Sequence, residues 1–181
     1  AAARACTVCA AHLPLGPRPV FRVSDQARLL IISQAPGTRA HNTHLPWNDA
    51  SGDRLRGWLG MSREVFYDVT KLAIMPMGFC YPGVLPQGGD KPPRPECAPL
   101  WHERFLALMP GVELTLLIGG YSQAKYLGAG TMTENVRNFA VHPRFFALPH
   151  PSWRTMGWEK RNPWFAADVL PALRARVARL V

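Results

Sequence analysis

Two stretches of this chain combine a rigid backbone with side chains able to do chemistry. Gln34-Ala35-Pro36-Gly37 follows the run Leu29-Leu30-Ile31-Ile32-Ser33. His150 stands between Pro149 and Pro151, just after the segment Arg144 to Leu148. Apolar runs of this length bounded by turn residues read as buried parallel strands. Ligands of open α/β sheets bind just beyond the carboxyl ends of the strands, so both stretches are expected at one sheet edge. Proline fixes the backbone there, and Gly37 permits a tight turn. A proline-locked imidazole suits polar catalysis, and a structural histidine would read the same way.

The cysteines form the second constellation, at positions 6, 9, 80 and 97. Four thiolates complete the ligand set of a tetrahedral zinc or an iron–sulfur cluster. A redox C-x-x-C should open a helix after a strand, whereas Cys6-x-x-Cys9 precedes the proline-rich segment His12 to Pro19. Unrelated core cysteines remain an alternative. The stretch Gly78 to Pro99 carries six prolines. A segment this long without secondary structure needs something to pin it, and a metal site holding Cys80 and Cys97 would do so at both ends.

The elements that position these residues follow from patterning. Strands are expected at Leu29–Ser33, within Val65–Ile74, at Leu114–Ile118 and at Arg144–Leu148. Helices are expected from Ser51 to Gly60, Glu96 to Met109, Tyr121 to Leu127, Thr131 to Phe139, and onward from Pro163 with Pro171 as a kink. A short turn starts at Ser62, and Thr38 to Ser51 reads as a polar loop. Alternating strands and helices predict a three-layer α/β/α sandwich with a largely parallel central sheet of about four strands, forming a single domain over residues 1–181.

The bulk composition narrows the function. The chain has 181 residues and a net charge of +9, from 21 Lys+Arg against 12 Asp+Glu. That balance suits a polyanionic partner such as nucleic acid, although solubility alone would also explain it. No apolar run approaches the roughly 18–20 residues of a membrane span. The expectation is a cytoplasmic monomer with no membrane partner.

Taken in order and at their spacing, the motifs resemble the uracil-DNA glycosylase superfamily, most closely its iron–sulfur branch. Gln34-Ala35-Pro36-Gly37 is similar to that branch's first motif, usually Glu-Ala-Pro-Gly. Pro46-Trp47 stands at the family's Pro-Phe, Ser51-Gly52 at its Ala-Gly, and His150-Pro151-Ser152 at its last motif. Leu116 to Gly119 resembles its third strand. Cys6, Cys9, Cys80 and Cys97 sit at spacings similar to the four cluster ligands. The resemblance implies N-glycosidic cleavage of a flipped base in DNA, as in base excision repair, and a structural 4Fe–4S cluster, with zinc as the alternative. Trp47 would stack on the base, with Pro36, Gly37 and Ser152 beside it. His150 would donate to the uracil O2, helped by the backbone N–H groups of Gln34 and Ala35. Trp153, Arg154 and Met156 would enter the minor groove, and Lys160 and Arg161 would meet phosphates.

The sequence departs from this pattern in two places. The first motif carries no carboxylate, Ala35 standing where many members have Asp or Asn, which leaves Gln34, His41, His44 and Asp49 to orient water. No Asn follows the second strand to read the base, and Asp68 is the nearest polar substitute. A non-catalytic nucleic-acid-binding relative and a hydrolase of free nucleosides or nucleotides are therefore kept as alternatives.

Overall fold

The four apolar runs become the strands of one parallel sheet. A computed structural model describes residues 1–181. The strands are β1 (Leu29–Ile32), β2 (Leu72–Ile74), β3 (Leu114–Ile118) and β4 (Phe145–Leu148), in the order β2-β1-β3-β4. Leu29 pairs with both Leu72 and Leu114, and Leu117 pairs with Ala147. From β1 the chain moves to β2 on one side and reaches β3 on the other. Such a reversal opens a crevice at the carboxyl edge.

Alternate residues of each strand face opposite layers. Leu29, Ile31, Leu114, Leu116, Ile118 and Phe146 pack with helix α2 (Ala50–Leu59) and with the C-terminal segment through Leu55, Trp58, Phe165 and Leu173. Leu30, Ile32, Ala73 and Leu117 pack with helix α4 (Cys97–Ala107) through Trp101 and Phe105. Both faces are covered, so the strands are buried almost throughout. The expected three-layer α/β/α architecture is the observed one.

Local signals place the helix ends. Asp49 caps α2 by accepting from the Gly52 N–H at 2.8 Å, and Gly60 ends it in a left-handed conformation (φ 64°). Ser62 caps α3 (Arg63–Phe66). Helix α5 (Gly120–Leu127) follows β3 directly, and Thr131 with Glu134 forms a capping box on α6 (Met132–Arg137). Three details differ from expectation. The segment after Gly37 is not all loop, because helix α1 occupies Thr38–Thr43. Residues after the last strand form helix α7 (Thr155–Arg161). The C-terminal helix does not simply kink at Pro171. A π-helical turn at Phe165–Val169 precedes α8 (Leu170–Val177), with Pro171 in the first turn of α8. Proline lacks an N–H, so its place is near a helix start. No helix of the chain is long and apolar enough to cross a membrane.

Candidate active site

A cavity of about 410 Å³ opens above the carboxyl ends of the strands. Its walls include all of Gln34-Ala35-Pro36-Gly37, together with Trp47, Asp49, Pro76, Asp90, His150 and Ser152. The two stretches separated most widely in sequence thus meet across one space. Parallel strands require this, because β1 and β4 end at the same edge.

Trp47 is the most constrained wall residue. It is only 8% exposed, and its φ of +58° is a conformation that bulky L residues rarely adopt. Its neighbours hold it there. Tyr67 Oη donates to the Pro46 carbonyl at 2.9 Å, and buried Arg56 donates to the Trp47 carbonyl at 3.3 Å. Gly52 runs so close beneath that a Cβ on it would lie 1.8 Å from the Trp47 oxygen. Here glycine is needed for space rather than for its φ. The Trp47 indole stacks on the His150 imidazole, with ring centroids 5.4 Å apart and planes at 29°.

His150 is placed by the ends of β3 and β4. Buried Gln123 on α5 donates to the Leu148 carbonyl at 2.9 Å and to the Leu117 carbonyl at 3.3 Å, clamping the two strand ends together. Beyond the clamp, the His150 carbonyl accepts from the Ser152 N–H at 2.8 Å and from the Thr155 hydroxyl. Burial lowers the His150 pKa below the usual imidazole value, against an upward pull from Asp49. The ring is therefore neutral at pH 7 and carries one N–H to donate.

The first motif contributes shape more than acid. Gln34 turns its amide to the Lys91 carbonyl at 3.2 Å, tying β1 to the loop before α4. The Ser33 and Gln34 carbonyls accept from the N–H groups of Met77 and Gly78 at 2.7 and 2.9 Å. Of the other residues named for water, Asp49 lines the cavity, while His41 and His44 do not. His44 instead bonds the Pro19 carbonyl at 3.0 Å.

Asp68 is not brought into the cavity. It precedes β2, at the edge opposite the site, and its carboxylate accepts from the Thr70 N–H at 3.0 Å and the Thr70 hydroxyl at 2.6 Å. From the far end of β2, Ile74 and Pro76 reach the cavity, and Pro76 has no N–H to offer. Its carbonyl accepts from His102 Nε2 at 3.1 Å, so His102 Nδ1 accepts from the Tyr126 hydroxyl at 2.7 Å.

The mouth is aromatic and cationic. Trp153 is 75% exposed and Met156 53% exposed. Trp153 and Arg154 line the opening, with the Arg154 guanidinium 5.6 Å from the Trp153 ring centre. Met156, Lys160 and Arg161 stand exposed on α7 rather than on a loop. Arg54 ties this segment to α2 by donating to the Ser152 carbonyl at 2.8 Å and pairing with Glu159.

Cys6, Cys9, Cys80 and Cys97 line a second, much smaller cavity of about 20 Å³ with Leu13, Phe79 and Trp101. The Phe79 N–H donates to Cys97 Sγ at 3.3 Å, and burial raises the Cys80 thiol pKa, opposed by the Arg18 backbone. Burial pushes the Cys97 thiol up to about 12. As they stand, no three His, Cys, Asp or Glu side chains of the chain are grouped to hold a single metal ion.

Sequence reasoning missed Asp90 and Gln123. Asp90 lies on a turn within the loop between Cys80 and Cys97, whose path the sequence did not show. Gln123 offered one signal, a polar residue on the inward face of a short helix.

The parallel α/β sheet thus carries a large cavity on its carboxyl edge, walled by a stacked Trp–His pair and rimmed by exposed aromatic and cationic side chains. A model of the Uracil DNA glycosylase superfamily matches residues 21–174, and the chain belongs to that superfamily. Members of the superfamily are generally DNA glycosylases, hydrolases of base excision repair. The matched span begins after Cys6 and Cys9 and contains Cys80 and Cys97.

Proposed function

We propose that this protein excises uracil or a related base from DNA by cleaving the N-glycosidic bond. The observation that carries the reading is the Trp47–His150 pair, stacked in the wall of a cavity large enough for a flipped base. Trp47 supplies a π-face for the extruded base, an interaction worth roughly 1–3 kcal/mol. As the C1′–N1 bond lengthens, negative charge collects on the base. Neutral His150 donates its N–H to that charge from a buried position, where one such donor is worth about 2.7–4 kcal/mol of barrier. The exposed Trp153 and Met156 suit the gap left by the extruded nucleotide, and Arg154, Lys160 and Arg161 suit its phosphates.

No amide side chain occupies the end of β2, where Pro76 stands, so the choice among uracil and its relatives rests on the remaining wall groups. Incubation with oligonucleotides containing uracil, hypoxanthine or hydroxymethyluracil tests the reading. Release of one base is expected, together with a loss of about 100-fold or more in His150→Ala. Salt-sensitive binding with no release from any of them favours the non-catalytic relative. Release from free nucleosides, unchanged in a Trp153→Ala, Met156→Ala variant, favours the nucleoside hydrolase.

The four cysteines are proposed to hold a 4Fe–4S cluster, as in the branch the sequence most resembles. The donor set fits it: four thiols in one apolar cavity, one of them accepting from a backbone N–H that stabilises its thiolate. Zinc, with bonds of about 2.3 Å, is the alternative occupant of the same four thiols. Its contribution would be structural, fastening the N-terminal turns to the loop before α4.

A further inference from the structure

The first motif lacks an acid, yet the cavity it lines contains a carboxylate that is free to act. Asp90 belongs to a narrow turn built within the segment between Cys80 and Cys97. The Leu85 N–H donates to the Gly89 carbonyl and the Lys91 N–H to the Gly83 carbonyl, both at 2.8 Å, and Val84 bridges Asp90. Gly83, Gly88 and Gly89 have φ of +93°, +87° and +92°, which glycine alone adopts readily. The turn leans on the first motif. Gln34 holds the Lys91 carbonyl, and a Cβ on Gly37 would lie 3.8 Å from Asp90 Oδ2. On the other side Arg154 lies over Gly89, where a Cβ would come within 2.8 Å of its Nη1.

The other acids near the site each already hold a partner through one oxygen. Asp49 Oδ1 caps α2, and Asp53 pairs with Arg56. Asp90 forms none of the chain's ion pairs. We propose that Asp90 is the carboxylate that orients the attacking water, receives its proton and faces the cationic sugar, taking from a distant loop the place of the acid that Gln34-Ala35-Pro36-Gly37 does not carry. The assignment rests on the glycosylase reading above.

The step balances as a hydrolysis. The C1′–N1 bond breaks and its electron pair leaves on the base, which His150 stabilises. The water oxygen bonds to C1′, and one water proton passes to the Asp90 carboxylate, which later returns it to solvent or to the departing base. The environment suits this task. Burial, and then the charge of Asp49, raise the Asp90 pKa above the ordinary carboxylate value, opposed by Arg154. A carboxylate of raised pKa is a better proton acceptor near neutrality.

The test uses the intact protein and the oligonucleotide whose base it releases. Asp90→Asn should slow single-turnover release about 100-fold while binding to DNA carrying a stable abasic-site analogue changes less than twofold. Rate should rise with pH as Asp90 ionises, and this limb should vanish in Asp90→Asn. The limb from His150 should remain, and Asp49 and Arg154, the other charged side chains lining the cavity, are the same in both proteins. Formate should partly restore Asp90→Ala. Release by Asp90→Asn within threefold of wild type overturns the assignment, as does a loss of binding equal to the loss of rate, or a folded Asp90→Ala that formate does not revive. Absence of release by the wild-type protein from every substrate overturns the glycosylase reading and this role together, whereas the other outcomes strike the role alone.

Discussion

At the scale of single residues, the site depends on positions that do no chemistry. Gly52 is the clearest case. Its missing side chain lets the α2 backbone pass under the Trp47 carbonyl, so the 1.8 Å clash of an added Cβ falls on backbone that cannot swing aside. Gly52→Ala should force Trp47 out of its +58° conformation. The expected loss is at the severe end of point substitutions, above about 4 kcal/mol, measured as a fall in denaturant midpoint with base release abolished. Gly57→Ala on the same helix has open space around it and should be neutral or mildly stabilising. Trp47, His150 and the Pro36-Gly37 turn were legible in the sequence because aromatic, proline and glycine residues advertise local constraint. Asp90 was not. Its place in the cavity comes from the loop folding back to Gly37 across the fold, and nothing local distinguishes it from any aspartate on a glycine turn.

At the scale of elements, the strands and the longer helices were legible because their apolar periodicity is strong and their caps are explicit. The helices α1 and α7 were not. Each is seven residues or fewer, α1 buries only Ala40 and His41 and α7 only Thr155, and no apolar stripe announces them. Tertiary ties such as Arg54 to Ser152 and Glu159 define α7 instead. Asp68 was misplaced for a related reason: β2 is three residues long, so a small error in its position moves a residue from one sheet edge to the other. The clamp from α5 shows how an element can set a distant geometry. Gln123→Leu would leave the Leu117 and Leu148 carbonyls buried and without that donor, each costing about 1–3 kcal/mol. The expected outcome is a fall in melting temperature and a slower chemical step, with DNA affinity nearly unchanged because the cationic rim is untouched. Single-turnover rates beside equilibrium binding would separate the two.

At the scale of the whole molecule, the sheet order explains why pieces from both ends of the chain share one cavity, and the charge of +9 explains why DNA is a fitting partner. The cysteine cavity joins parts that the sheet does not. It brings residues 6 and 9 against residues 80 and 97, and the loop they frame also carries Asp90. Protein purified without oxygen should be brown, with absorbance near about 400 nm. Removing the iron by oxidation and chelation should lower the melting temperature and slow base release in parallel. A colourless protein with one bound zinc would overturn the cluster. The strand-end cavity has one more consequence. The carbonyls of Ser33, Gln34, Pro46, Trp47, Leu148, His150 and Ser152 are each already taken by a donor. With those carbonyls quenched, the charges left at this edge are Arg154 at the opening and the carboxylates of Asp49 and Asp90 in the wall, so a polyanion is drawn to the mouth while the acids face what enters the cavity.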